Sequence, residues 1–196
     1  PRMAQFKRDF PNVDLRFQLI MGPLSGPVND VDLGMRFVAG SDDRHEATLI
    51  MPELLVPICS PGYQETHAIG DSQMVPATMI NLSDAEPDWS SLFSTGQDWN
   101  GANTLIFSDY SVVVQAALMG QGVALGWLNV VAHWMRSGAL VPVGQTVTRP
   151  EQRHCHLVRL RDKPLRPIVA AVRDWIVSEI NDDMRNLTKQ YPELGL

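Results

Sequence analysis

Ser108-Asp109-Tyr110-Ser111 sets four oxygen-bearing side chains in a row. The row follows an apolar run, Thr104–Phe107, that reads as a strand. It precedes a stretch, Tyr110–Met119, that reads as a helix ended by Gly120. A strand-to-helix junction presents backbone N–H groups that no earlier turn satisfies, together with the positive end of the helix dipole. It therefore suits a carboxylate or another small anion. Ser108 and Ser111 would add hydroxyls, and Tyr110 a flat apolar face with one polar tip. The same residues also suit an ordinary helix start, with Ser108 or Asp109 as cap and a partly buried Tyr110.

Three other places could contribute to such a site. Arg36 and Phe37 close a short predicted strand, Val31–Phe37. Ligands of open α/β sheets sit beyond the carboxyl ends of strands, where an Arg can grip a carboxylate through two parallel hydrogen bonds. An Arg paired with a neighbouring acid fits the sequence equally. Ser60, in Ser60-Pro61-Gly62, either donates a hydrogen bond to a ligand or shapes a turn that breaks the chain. Trp127, beside Gly126 at the end of a predicted strand Val123–Trp127, either walls a site or packs against the helix that follows.

Other motifs point away from catalysis. His154 and His156 can share one face of a strand with Cys155 turned away, and two ligands are fewer than a structural zinc uses. Gly120-Gln121-Gly122 follows a helix and precedes a strand, the reverse of a dinucleotide fingerprint. Gly22–Gly26 has no lysine and is no Walker loop. No Gly-x-Ser-x-Gly elbow, His-Glu-x-x-His motif or paired carboxylates stand out. The expectation is a non-enzyme without metal or cofactor.

The elements that must position these residues alternate in type. Arg2–Phe10 carries Met3, Phe6 and Phe10 at helical spacing, and Pro11 stops it. Val13, Leu15, Phe17 and Leu19 alternate as in a half-buried strand, and Met21–Asp30 reads as a loop. Ala47–Met51 and Leu54–Cys59 are apolar runs split by Pro52-Glu53. Thr78–Leu82 reads as a strand and Glu86–Asn100 as a loop with a helical turn. Asn129 can cap a helix to Ser137, Leu140–Val143 is a strand, and Cys155–Leu160 another. Pro167 opens a long helix with Ile168, Val172, Trp175, Ile176 and Ile180 on one stripe, frayed from Asn181 onward. Such alternation predicts an α/β fold with mostly parallel sheets.

Composition sets the bounds. The chain's 196 residues, 44% hydrophobic, can build one large domain or two lobes of about 100 residues. A net charge of −6 offers no basic face for nucleic acid. No apolar run approaches the roughly 18 residues of a membrane span, and no segment reads as a signal peptide. Two cysteines, Cys59 and Cys155, suit a reducing cytosol, as buried apolar residues or as a redox pair.

Six phrases in fixed order carry a resemblance. They are Val31-Asp32-Leu33-Gly34-Met35-Arg36-Phe37, Leu55-Val56-Pro57-Ile58-Cys59-Ser60-Pro61 and Phe107-Ser108-Asp109-Tyr110-Ser111. Gly120-Gln121-Gly122-Val123-Ala124-Leu125-Gly126, Gly138-Ala139-Leu140-Val141 and Val172-Arg173-Asp174-Trp175-Ile176 follow. Together they resemble the effector-binding (substrate-binding) domain of LysR-type transcriptional regulators, in a glycine-cleavage-activator-like branch. The resemblance implies two Rossmann-like lobes of the type 2 periplasmic-binding-protein kind, with the N-terminal strand of lobe I and its loop apparently missing. It implies lobe I at 1–59, lobe II at 60–155, and a return to lobe I with a C-terminal helix at 156–196. A small-molecule effector, an amino acid or small organic anion, would lie between the lobes against Arg36, Phe37, Ser60, Ser108, Tyr110, Ser111, Gly126 and Trp127. A homodimer or tetramer would use Met3, Phe6, Phe10, Val113, Val114, Ala117 and Leu118. The resemblance further implies a cytoplasmic protein that meets DNA only through a domain outside these residues, with RNA polymerase as a further partner and no membrane. A periplasmic solute-binding protein would share the fold, but as a secreted monomer.

Overall fold

A computed structural model of the chain describes residues 2–18, 28–67, 77–83, 103–145, 147–150 and 153–196. Three strands, β1 (Gly34–Val38), β2 (His45–Pro52) and β8 (His154–Leu160), form one sheet in the order β1-β8-β2. Both of its pairings are antiparallel. Five strands form a second sheet: β3 (Leu55–Cys59), β4 (Thr78–Leu82), β5 (Asn103–Phe107), β6 (Val123–Trp127) and β7 (Val141–Pro142). Their order is β5-β4-β6-β3-β7. Here β4 runs parallel to β5 and β6, whereas β3 is antiparallel to β6 and β7. The first sheet is therefore antiparallel and the second mixed, not mostly parallel. Alternation of strands and helices leaves direction open once a chain enters a sheet from the side. β3 starts where β6 ends and runs away from that edge.

The passage between the sheets falls at Pro52-Glu53-Leu54, and the return lies between Thr148 and His154. The two segments are bonded to each other. Glu53 N donates to Arg153 O at 3.0 Å, Leu55 N to Thr148 O at 3.0 Å, and Thr148 N to Leu55 O at 2.8 Å. Leu55–Cys59, expected with the first lobe, thus belongs to the five-stranded sheet. His154 and Cys155, expected with the second, already belong to the three-stranded one.

The helices are α1 (Met3–Asp9), α2 (Pro61–His67), α3 (Tyr110–Leu118), α4 (Leu128–Arg136) and α5 (Pro167–Gln190). Leu55, Ile58, Ile80, Leu125, Leu128, Met135 and Leu140 are fully buried at the centre of the core. Strands Thr78–Leu82 and Val123–Trp127 fall where the apolar runs place them.

Several expectations are corrected. Val13–Gln18 is not a strand: no partner pairs with it among the described residues, and Phe17 is 83% exposed. Alternation marks a face, but a ladder needs a second chain segment. Ser60-Pro61-Gly62 opens α2 rather than breaking the chain, with Ser60 Oγ accepting from Tyr63 N at 3.3 Å and proline in the first turn. α4 starts at Leu128 with no side-chain cap, so Asn129 lies inside it. β7 spans two residues of the expected four. α5 does not fray at Asn181 but continues to Gln190, because Leu187 is fully buried. Phe6, Val113, Val114 and Ala117, expected at a subunit contact, are buried within the chain. Met3 is exposed, and Phe10 and Leu118 are half-buried. Most of the expected Met21–Asp30 loop and all of Glu86–Asn100 lie outside the described residues.

Candidate functional site

Three of the eight expected site residues meet. Phe37 leaves β1, Trp127 ends β6, and Tyr110 starts α3. The Trp127 ring lies 5.8 Å from that of Phe37 and 4.6 Å, edge-on, from that of Tyr110. Trp127 N donates to the Tyr110 hydroxyl at 2.8 Å, and that hydroxyl donates to Leu125 O at 3.3 Å. Burial pushes the Tyr110 phenol above its usual range, although the Trp127 N–H opposes this. Phe37 at 8% and Trp127 at 4% exposure are buried, with their rings packed together.

Two residues that the sequence reading passed over complete the cluster. Glu53, in the passage between the sheets, is 1% exposed. Its Oε1 accepts from the Trp127 indole N–H at 2.7 Å. Arg153, in the return segment, places Nε 2.8 Å from Glu53 Oε2, and Nη2 donates to Oε1 at 3.3 Å. The Arg153 guanidinium also lies 6.0 Å from the Phe37 ring centre, within cation–π range. Burial raises the Glu53 carboxyl above its usual value, while the indole hydrogen bond and Arg153 pull it back. A signal for Glu53 was present: a carboxylate between Met51-Pro52 and Leu54-Leu55 must be buried, and a buried charge needs a partner.

The start of α3 is capped from within. Asp109 Oδ1 accepts from Ser111 N and from Ser111 Oγ, each at 2.8 Å. Val112 N and Val113 N both donate to Asp109 O. The Ser111 hydrogen bonds, side chain first, hold the Asp109 carboxyl below its ordinary value. A negative group therefore already occupies the place where a ligand anion would sit. Ser108 and Ser111 stand exposed beside it.

The remaining candidates lie elsewhere. Arg36 precedes Phe37 on β1 and so faces the opposite side of the sheet. It is buried, with Nη1 3.4 Å from Asp42 Oδ2 and 3.1 Å from His45 Nδ1. Asp42 also accepts from His45 N and Arg44 N. Burial pushes its carboxyl up, but the His45 and Arg44 hydrogen bonds win and hold it at about 2. Ser60 sits at the far end of β3, roughly 15 Å from the Leu55–Trp127 pairing, given the rise of a strand. Gly126 is a packing position: a Cβ there would lie 2.7 Å from Val131 Cγ2 and 2.9 Å from Ile58 Cδ1.

Cys59 and Cys155 are free thiols, each fully buried. Burial pushes both up to about 12. Among the described residues no group of three or more His, Cys, Asp or Glu could hold a metal ion. No described helix is long and apolar enough to cross a membrane.

An antiparallel three-stranded sheet and a mixed five-stranded sheet joined by paired passages, with helices between strands, define the type 2 periplasmic-binding-protein-like class of α/β domains. The family profile described as LysR substrate binding domain matches residues 1–181, and the chain belongs to that family. The glycine cleavage system transcriptional activator of Escherichia coli K12 is 25% identical over 198 residues, covering 98% of this chain and 64% of the relative. The HTH-type transcriptional activator AmpR of Citrobacter freundii is 20% identical over 182 residues, covering 92% of this chain and 62% of the relative. The chain thus spans under two thirds of these curated relatives. Among solved structures, the effector domain of AmpR from Pseudomonas aeruginosa superposes with a TM-score of 0.65 at 22% identity, covering 94% of this chain and 89% of that one. The CrgA regulatory domain from Neisseria meningitidis gives 0.60 at 17% identity, covering 92% and 90%.

Proposed function

We propose that this chain is the sensing half of a LysR-type transcription factor. The relatives it matches are transcriptional activators, and the effector-binding domains among solved structures share its fold. The observation that carries the reading is the meeting of Phe37, Tyr110 and Trp127 where the chain passes between its sheets, in a member of this family. An effector seated beside that cluster would bias the relation of two lobes, and a ligand shifts an equilibrium by its differential affinity for the two arrangements. The lobes in this reading divide at the passages, near Glu53 and again between Thr148 and His154. The protein would act in the cytoplasm as a homodimer or tetramer. DNA contact would come from a domain outside these residues, with RNA polymerase as a further partner. Met3, Phe10 and Leu118 retain surface for subunit contact.

The effector we propose is an amino acid rather than a simple anion. Its ammonium would meet the Asp109 carboxylate at the α3 start, beside the Ser108 and Ser111 hydroxyls. The geometry that supports this is the self-capped helix, which has spent its first N–H groups on Asp109. A thermal-shift panel of amino acids and small carboxylates tests it, since a ligand of the folded state raises Tm in a saturable way. The expected result is a rise with an amino acid, lost in Asp109→Ala, reduced in Ser108→Ala and kept in Arg36→Ala. A panel without any shift, or a shift indifferent to Asp109→Ala, sinks the assignment.

A further inference from the structure

We propose that the C-terminal segment, residues 181–196, is a strap that holds the two sheets in one relative arrangement. The inference is independent of the effector assignment. It rests on where the two halves of α5 are seated. A helix of 24 residues is about 36 Å long, enough to reach across both layers.

The first half belongs with the three-stranded sheet and the N-terminal helix. It packs on β2, with Val169 and Val172 buried. Trp175 meets Phe6 edge-on at 5.3 Å and Phe10 at 6.2 Å, and its indole donates to Asp9 Oδ2 at 2.8 Å. Glu179 accepts from Gln5 at 2.9 Å and pairs with Arg2.

The second half belongs with the five-stranded sheet, through α4, which continues directly from β6. Leu187 is fully buried there and Leu194 is 4% exposed. Gln190 Nε2 donates to Met135 O at 3.3 Å, and Arg149 Nη2 donates to Gly195 O at 2.6 Å. Asp183 is the knot. Its Oδ1 accepts from Arg136 of α4 at 2.6 Å and also pairs with Arg2, the N-cap residue of α1. One buried carboxylate thus joins three helices. A surface polar tail would have no reason to bury Asp183 and Leu187, and the family match stops at residue 181, before either. The seats on α4 are what residues 182–196 are built to fill.

The test uses the full 196-residue chain with spin labels at Asp43→Cys and Gln121→Cys, exposed positions beside β2 and β6. The native thiols are buried and stay unlabelled. Leu187→Glu puts a charge in the apolar seat and drives the segment off. Released, the amides of residues 184–191 exchange about tenfold faster or more, and the label-to-label distance distribution broadens about twofold. Faster exchange with an unchanged distribution would overturn the strap. Unchanged exchange would overturn the docking itself. Should Leu187→Glu fail to fold, the double variant Arg136→Ala, Gln190→Ala removes two polar seats without touching the core. The same two readouts then decide in the same way.

Discussion

Trp127 and Glu53, 74 residues apart, are joined by a 2.7 Å hydrogen bond from the indole N–H to a carboxylate that water scarcely reaches. The bond ties the last residue of a β-strand in one sheet to the passage leading from the other. Arg153, from the return passage, completes the arrangement. Two passages and one strand end therefore share one buried carboxylate and its partly covered partner.

Removing Glu53 takes the acceptor from the buried Trp127 indole and a carboxylate from the largely covered Arg153 side chain, and such a loss costs more than the pair contributes. Glu53→Ala is expected to lower unfolding stability by about 3–5 kcal/mol. Glu53→Gln keeps an acceptor for the indole and should lose markedly less. Urea unfolding followed by Trp fluorescence orders the two variants. A Gln variant no better than Ala would remove the indole bond from the account.

Gly122 and Gly126 test the close approach of elements in the five-stranded sheet. A Cβ on Gly122 would lie 2.4 Å from the Thr78 carbonyl oxygen, a backbone atom that cannot swing aside. At Gly126 the obstacles are the side chains of Val131 and Ile58, which can shift. Gly126→Ala should cost about 1–3 kcal/mol, the usual range of overpacking, and Gly122→Ala more. Gly40→Ala, with nothing within 4 Å of its Cβ, should stay within about 0.5 kcal/mol. Denaturation midpoints in any other order contradict the packing.

His133 gives the folded state a pH dependence. Burial lowers its pKa, the Asp183 charge opposes this, and Arg2 and Arg136 add to the lowering. The unfolded chain then binds more protons than the folded one just below the ordinary His value of about 6.5. Stability therefore rises with pH through that window, and it falls as pH drops from 7 toward 5. His133→Gln should flatten this limb of a Tm-against-pH curve. A slope identical to the parent chain would assign the effect elsewhere.

The thiols should be silent while the chain is folded. With values near 12, about one in ten thousand is thiolate at pH 8. Ellman's reagent is expected to count two thiols in denaturant and almost none before unfolding. Prompt reaction of the native chain would restore the redox reading of Cys59 and Cys155.

Continuous apolar runs were the legible part of the fold. Val123–Trp127 is buried at every position and falls where its apolar run lies, and Thr78–Leu82 falls where expected although Thr78 and Asn81 are polar and half-buried. Strand direction was not legible, because β3 and β6 look alike in composition while running oppositely. Val13–Gln18 misled, since alternation marks a face without supplying a partner. Phe37, Tyr110 and Trp127, expected together from their places near element ends, are in ring contact. Arg36 lies one residue of pleat from Phe37 and so turns to Asp42 and His45, which no apolar pattern announces. Glu53 and Arg153 escaped notice because their pairing spans 100 residues and depends on the two passages meeting.

Those passages also decide how the two sheets are tied. Glu53 N with Arg153 O, and Leu55 with Thr148, are bonded main chain to main chain. The outgoing and returning segments are thus pinned to one another at the crossing and are not two independent tethers. Drawing them apart would break three backbone hydrogen bonds and uncover the Glu53 carboxylate that the Trp127 indole meets.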